Sequence, residues 1–262
     1  MKQEVASFLD YVAHSPTVFQ ATQQACDMLD AAGFTRLSEH EAWEILPGGR
    51  YYVTRNRSAL VAFAVPENGF THCQIVASHG DSPTFKLKAH AEGEAAGAYI
   101  RLDVEPYGGM IMSTWFDRPL SIAGRALVRE DGRLVTRLID LDRDAALIPN
   151  MPIHFNRDIN SGYSYNPQTD MLPLFGGKGA LAAEIAAKAG AKEEDVVACD
   201  LFLYNRTPAS VWGANEEFFS CPRIDDLECA YTSLAAFIAA PAAGHVNVCA
   251  MFDNEEVGSL SK

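Results

Sequence analysis

Residues 246–256 read VNVCAMFDNEE, a largely apolar run of seven that passes straight into four acidic or amide side chains. A run of that length and composition predicts a buried strand, and its abrupt end puts Glu255 and Glu256 where the strand leaves the sheet. The same pattern occurs upstream, where QIVAS at 74–78 gives way to His79, Gly80, Asp81, Ser82 and Pro83. An unbroken apolar stretch of this kind is expected in the middle of a sheet. A third acidic cluster, PRIDDLE at 222–228, opens the largely apolar helix predicted over 225–240. In open α/β sheets ligands bind beyond the carboxyl ends of the strands, so the three clusters are expected to share one crevice.

Around these segments the chain alternates between two textures. Its start predicts a helix over about 2–13, then a second with Ser15 as N-cap and Pro16 at the first helical position, stopped by Gly33. Strands are expected at 51–54, 59–64 and 74–78. From Ala89 to Glu217 short alternating segments such as AYIRLDVE, SIAGRALVRE and RLVTRLIDL, with an Asp131-Gly132 turn, predict a mostly antiparallel β module holding a helix over 179–190 and a strand at 201–205. The α/β pattern then returns. The expected organisation is one α/β layer in two pieces, 1–88 and 218–262, interrupted by a β-rich insert at 89–217. GGKG at 176–179 is not a phosphate loop, because it lacks the Gly five residues before the Gly-Lys pair and the Ser or Thr after it.

Composition narrows the function class. The 262 residues carry 21 Lys and Arg against 34 Asp and Glu, a formal charge of −13, which disfavours binding to nucleic acid. Charged and polar residues interrupt the N-terminal stretch, and no apolar run of about 18 residues occurs, so secretion and membrane spanning are not expected. Six scattered cysteines without a CxxC pair predict buried, reduced thiols in a cytoplasmic protein.

The clusters point to metal chemistry. His and carboxylates are zinc ligands, and a carboxylate in the position of Asp225 can bridge two cations about 3.5–4 Å apart. In His79-x-Asp81 the two side chains share one side of an extended segment, so the Asp81 carboxylate can accept a hydrogen bond from the non-coordinating ring nitrogen of His79. Glu255 and Glu256 would face opposite ways along a strand, and both can serve one site only if the backbone turns, which Asn254 and Gly258 allow. Each cluster alone also has a plainer reading: helix capping for Asp225 and Asp226, solvated surface for the glutamates.

SHGDSPTFKLK (78–88), STWFDRPLSIAGR (113–125), IHFNRDIN (153–160), YNPQTDMLPLFG (165–176), CPRIDDLECAYTSL (221–234) and MFDNEEVGS (251–259) together resemble the N-terminal portion of the aspartyl aminopeptidase family of co-catalytic zinc exopeptidases. The resemblance implies a zinc-peptidase α/β catalytic domain interrupted by a β-rich dimerisation domain, in a closed homo-oligomer that removes N-terminal, often acidic, residues from peptides. It implies His79 on one zinc, Asp225 bridging both, Glu256 on the other, Glu255 as general base and Asp81 as the orienter of His79. His154 would reach a neighbouring subunit's site to help stabilise the tetrahedral intermediate. Trp115, Phe116 and Cys221 read as packing residues. The family's further Asp and His ligands have no counterpart in this sequence, so the chain alone is expected to be an inactive hydrolase, with a non-catalytic assembly subunit as the alternative. Metal-dependent phosphoester cleavage is a third reading. The sequence leaves open the residue preference, the oligomer size and whether Zn²⁺, Co²⁺ or Mn²⁺ is bound. An unpaired sheet edge is expected beside strand 246–252.

Overall fold

The computed structural model describes residues 2–258, so residues 259–262, the last residue of the MFDNEEVGS stretch among them, lie outside the described residues. The chain opens with helices α1 (Gln3–Ala13) and α2 (Val18–Ala31) and strands β1 (Thr35–Arg36), β2 (Arg50–Arg55), β3 (Ala59–Ala64) and β4 (Cys73–His79). Next come β5 (Thr84–Ala95), β6 (Tyr99–Tyr107), β7 (Leu120–Glu130), β8 (Arg133–Asp140), the short helix α3 (Pro167–Asp170), β9 (Leu174–Gly176), α4 (Ala180–Ala189) and β10 (Val196–Asn205). The remainder is a β11 (Ser210–Trp212) and β12 (Phe218–Ser220) hairpin, helix α5 (Ile224–Ala239) and β13 (Val246–Phe252). Two compact units result, one formed by residues 1–82 with 208–262 and the other by 83–207.

The first unit is built on a mixed five-stranded sheet in the order β1-β2-β3-β13-β4. β13 is where strand direction changes, antiparallel to β3 and parallel to β4, with Val246 opposite Cys73 and Phe252 opposite His79. The parallel pairing brings both strand ends out at the same rim. α2 and α5 pack Ala25, Leu29, Leu234 and Phe237 against Tyr52, Leu60, Ala62 and Cys249, while α1 contributes Phe8, Tyr11 and Val12 to a cluster with Leu227 at the start of α5. Full burial of such side chains contributes about 1.5–3 kcal/mol each. Arg50 ties the helix ends together: its guanidinium lies 4.0 Å over the Phe34 ring and donates to Ala32 O at 3.1 Å and Ile238 O at 2.9 Å, two carbonyls that the ends of α2 and α5 leave open.

Several expectations change here. The helix after α1 starts at Val18 with Thr17 as N-cap, so Ser15 and Pro16 precede it; Gly33 does follow its end in the left-handed region. Among the described residues β4 pairs with β13 alone and lies at the edge of the sheet, and Ile75 is 68% exposed. An apolar run states that both faces of a strand tolerate cover, not how many neighbours the strand has. Among the described residues β13, expected beside an open edge, has a partner on each side, and β4 is the strand beside it with a single partner. Nor are most thiols buried: all six cysteines are free, but only Cys26 and Cys249 are buried, and Cys73, Cys199 and Cys229 are exposed. Burial pushes Cys26 and Cys249 up to about 11, leaving them protonated and unreactive at neutral pH.

The second unit is a six-stranded antiparallel sheet, β8-β7-β10-β5-β6-β9. β7 and β8 form a hairpin turning at Asp131 and Gly132, both with positive φ, as a two-residue loop that matches strand twist requires. Its core joins Phe85, Leu102, Leu120, Ile122, Ile139 and Leu203, with Phe116 buried beside it and Trp115 edge-on to Phe85 at 5.2 Å. The glycine-rich segment before α4 meets a carboxylate of the chain itself: Glu92 accepts from Gly179 N and Leu181 N at 2.9 and 3.0 Å.

On this sheet Asp200 takes two donors from Arg125, at 3.0 and 2.9 Å, and lies 3.2 Å from Lys86 Nζ. Burial alone would raise its pKa, but the Arg125 hydrogen bonds and the Lys86 charge outweigh it and hold the carboxyl below its ordinary value. A folded-state pKa below the unfolded one adds stability above the unfolded value, near 3.9, that is lost as pH falls through the folded value. Asp200→Asn should therefore cost about 1 kcal/mol at pH 7, given its partial exposure, and almost nothing once the pH is below the lowered folded-state value. Urea midpoints across that range check this; an equal deficit at both ends would refute it.

Candidate metal centre

Three elements of the first unit deliver the acidic clusters to one place. β4 ends at His79, and the chain continues its pairing by one more bond, from Gly80 N to Phe252 O at 2.9 Å. Gly80 fits because Met251 leaves no room above it, with Sδ 3.2 Å from where a Cβ would stand. β13 then ends at Phe252, and the backbone reverses through Asn254, at φ 63°, into a single 3₁₀ turn over Glu255–Val257 closed by Gly258 at φ 100°. That reversal supplies the turn which adjacent glutamates need to serve one site. At the start of α5, Asp225 and Asp226 carry non-helical backbone, so the regular helix begins after them, and the peptide bond between the two is cis. The residue at the N-cap of α5 is Arg223, which makes no side-chain capping bond.

His79 is the centre of the cluster. Its Nδ1 lies 3.0 Å from the Asp81 backbone oxygen and 3.3 Å from Asp81 Oδ1, which assigns the ring proton to that nitrogen and leaves Nε2 as the lone-pair side. The expected carboxylate partner is thus joined, at shorter range, by a carbonyl. Nε2 faces Asp225 Oδ1 at 3.4 Å, Asp226 Oδ2 at 3.7 Å and Glu255 Oε2 at 3.8 Å. Ligand atoms of His79, Asp225 and Asp226, and of His79, Glu255 and Glu256, each fall within 4.8 Å of one another. Asp81 is buried and reaches the other strand end as well, because its Oδ2 accepts from Glu256 N at 3.2 Å. One carboxylate therefore sets both the histidine ring and the glutamate turn.

The electrostatics are those of a site short of positive charge. Burial pushes Glu256 up to about 7, helped by the charges of Asp225, Asp81 and Glu255 and opposed only by His79. Burial would lower His79, yet the charges of Asp226, Asp81 and Glu255 and the Asp81 backbone bond raise it overall. A divalent cation among these groups would relieve both shifts by supplying the positive charge that the carboxylates lack. The donor set, one imidazole nitrogen with several carboxylate oxygens, suits zinc and its neighbours in charge and softness. The residues fit the ion.

His79, Asp81, Asp225, Glu255 and Glu256 are thus brought together. His154 is not among them: it lies on an exposed turn of the second unit, beside Ile153 and the 79% exposed Phe155. Asp226 escaped the sequence reading, which assigned it to helix capping. The available signal was the second aspartate of the pair itself, but composition cannot reveal that the backbone there is non-helical.

Comparison with known proteins identifies the family. The family model described as aminopeptidase I zinc metalloprotease (M18) matches residues 11–262. A probable M18 family aminopeptidase 2 of Clostridium acetobutylicum is 40% identical over 279 residues, covering 100% of this chain and 64% of its own. One from Pseudomonas fluorescens (strain SBW25) is 37% identical over 264 residues, covering 97% and 61%. Among solved structures, mApe1 of Chaetomium thermophilum superposes with TM-score 0.90 at 29% identity over 97% of this chain and 63% of its own. The S. cerevisiae mApe1 dodecamer gives 0.86 at 25% identity, with 99% and 62% covered. The chain spans about three-fifths of the length of the curated relatives it matches. With its motifs, its fold and the full run of the family model in agreement, the chain belongs to the M18 family of aminopeptidase I zinc metalloproteases.

Proposed function

We propose that this chain carries part of the catalytic site of a zinc aminopeptidase that removes N-terminal, often acidic, residues from peptides. The observation that carries the reading is His79, with Nδ1 tied to Asp81 and Nε2 turned towards a ring of carboxylates. In this reading His79 and Glu256 would each hold a zinc ion, and Asp225, 78% exposed at its side chain, would be shared between them. Bound zinc polarises the scissile carbonyl and lowers the pKa of water, and Co²⁺ or Mn²⁺ would suit the same oxygen-rich set.

The protein's own groups do the rest. Asp81 keeps the proton on Nδ1 of His79, so that Nε2 presents its lone pair. Glu255, more exposed than Glu256 and close to Nε2, takes a proton from the attacking water and returns it to the leaving amine. The second unit serves self-association, supported by the exposed Met151, Ile153 and Phe155 around His154 and by the dodecamer of the S. cerevisiae relative. His154 completes a neighbouring subunit's site and helps to stabilise the tetrahedral intermediate. A cytoplasmic location suits three exposed free thiols. No described helix is long and apolar enough to cross a membrane.

His79, Asp225 and Glu256 supply three of the roughly five protein ligands that two co-catalytic ions need, so the 262-residue chain by itself should turn over little peptide. Adding Zn²⁺ or Co²⁺ to it and assaying release of an acidic N-terminal residue tests this. Substantial turnover abolished by Glu255→Gln would overturn the claim of inactivity, and hydrolysis of an aryl phosphate would favour phosphoester chemistry. A strictly monomeric chain on a sizing column would count against the second unit's role.

A further inference from the structure

We infer that Asp226 is a positioning residue of the metal centre: it holds the end of β4 against the start of α5 through the His79 backbone, and is not itself a ligand. This rests on the metal-site reading above. Successive N–H groups of a strand point to opposite sides. Gly80 N is bonded to Phe252 O in β13, so the His79 N–H points away from β13. Asp226 Oδ2 accepts it at 3.1 Å. This main-chain donor is taken by a carboxylate from the helix, and the charge makes that bond one of the stronger kind.

The two aspartates of the pair are thereby separated in role. Asp225 is 78% exposed and its Oδ1 is the carboxylate oxygen nearest to Nε2, at 3.4 Å. Asp226 is 15% exposed, and the Oδ2 that lies 3.7 Å from Nε2 is the atom already engaged by the His79 N–H. His79 is consequently gripped twice, at Nδ1 by Asp81 and at its backbone by Asp226, which leaves its Nε2 one direction to face. The Asp226 carboxylate also contacts the Cys229 thiol one turn along α5, and that hydrogen bond, ahead of burial, pushes the thiol up to about 11. The non-helical backbone at Asp225 and Asp226 is what lets neighbouring side chains point to these different tasks.

Two substitutions separate positioning from ligation. Asp226→Asn keeps an acceptor oxygen and removes the charge, whereas Asp226→Ala removes both. In the metal-free 262-residue chain, hydrogen exchange at the His79 amide should accelerate about tenfold or more in Asp226→Ala and stay near wild type in Asp226→Asn. With Co²⁺ as probe, Asp226→Ala should weaken binding by about 10–100-fold, while Asp226→Asn stays within a few-fold and keeps the visible absorption spectrum. A spectrum changed in Asp226→Asn, with affinity lost as fully as in Asp226→Ala, would make Asp226 a ligand and overturn the assignment. Unchanged His79 exchange in Asp226→Ala would overturn it as well. Failure of the wild type to bind Co²⁺ would instead refute the metal-site reading, and the exchange measurement would still decide the role of Asp226.

Discussion

Gly124→Ala should destabilise the second unit by about 3–5 kcal/mol, enough to leave much of it unfolded at 37 °C if its stability is ordinary for a domain of this size. Gly124 lies in the middle of β7, paired with Leu201 on one side and Ile139 on the other. Its φ is +150°, and a methyl group there would overlap the Asp200 carbonyl oxygen and come within 3.0 Å of Leu201 Cα. These are backbone atoms, held by hydrogen bonds on both flanks, so no side-chain rotation relieves the overlap. Either β7 and β10 part, losing ladder bonds beside the Asp200 and Arg125 pair, or the strand twists away from its core. Gly132→Ala is the control: its φ is +77° but open space surrounds it, so only the conformational cost of about 1 kcal/mol applies. Urea unfolding followed through Trp115, which packs in this core, measures both. Similar midpoints for the two variants would refute a steric origin.

His79→Ala should lower the affinity of the chain for Zn²⁺ or Co²⁺ by more than about a hundredfold, exceeding the 10–100-fold typical of losing a group behind a ligand. His79 is the only nitrogen donor in either triad of the cluster, and its Nε2 is the atom that the Asp225, Asp226 and Glu255 carboxylates all face. Without it the remaining groups are carboxylates whose mutual repulsion adds to the burial that already pushes Glu256 up to about 7. Glu255→Gln should behave differently, holding metal affinity within about threefold because the proposed role of Glu255 is proton transfer. Calorimetric titration with either ion distinguishes them. Equal losses for His79→Ala and Glu255→Gln would make Glu255 a ligand; no loss for His79→Ala would remove the histidine from the site.

Much of this protein is legible without coordinates, for a reason that differs by segment. β3 and β7 follow from period and composition, and the β7–β8 turn follows from Asp131-Gly132, because local sterics permit few other conformations there. The apolar runs at 74–78 and 246–252 identify strands by the same local logic, and their acidic ends identify a site, since carboxylates and a histidine at strand termini have little structural use. The motif run from Ser78 to Gly258 then carries the family.

What only the tertiary structure decided is whatever depends on neighbours distant in sequence. Whether β4 is central or an edge turns on strand order, and the run QIVAS is the same in either case. That Asp81 reaches Glu256 as well as His79, and that Asp226 takes the His79 amide while Asp225 stays exposed beside Nε2, results from the parallel register of β4 with β13 and the non-helical backbone at the start of α5. Sequence specified which chemical groups arrive at the rim of the sheet; long-range pairing and helix placement determined which atom of each faces which, because hydrogen-bond geometry is fixed only when separate elements meet.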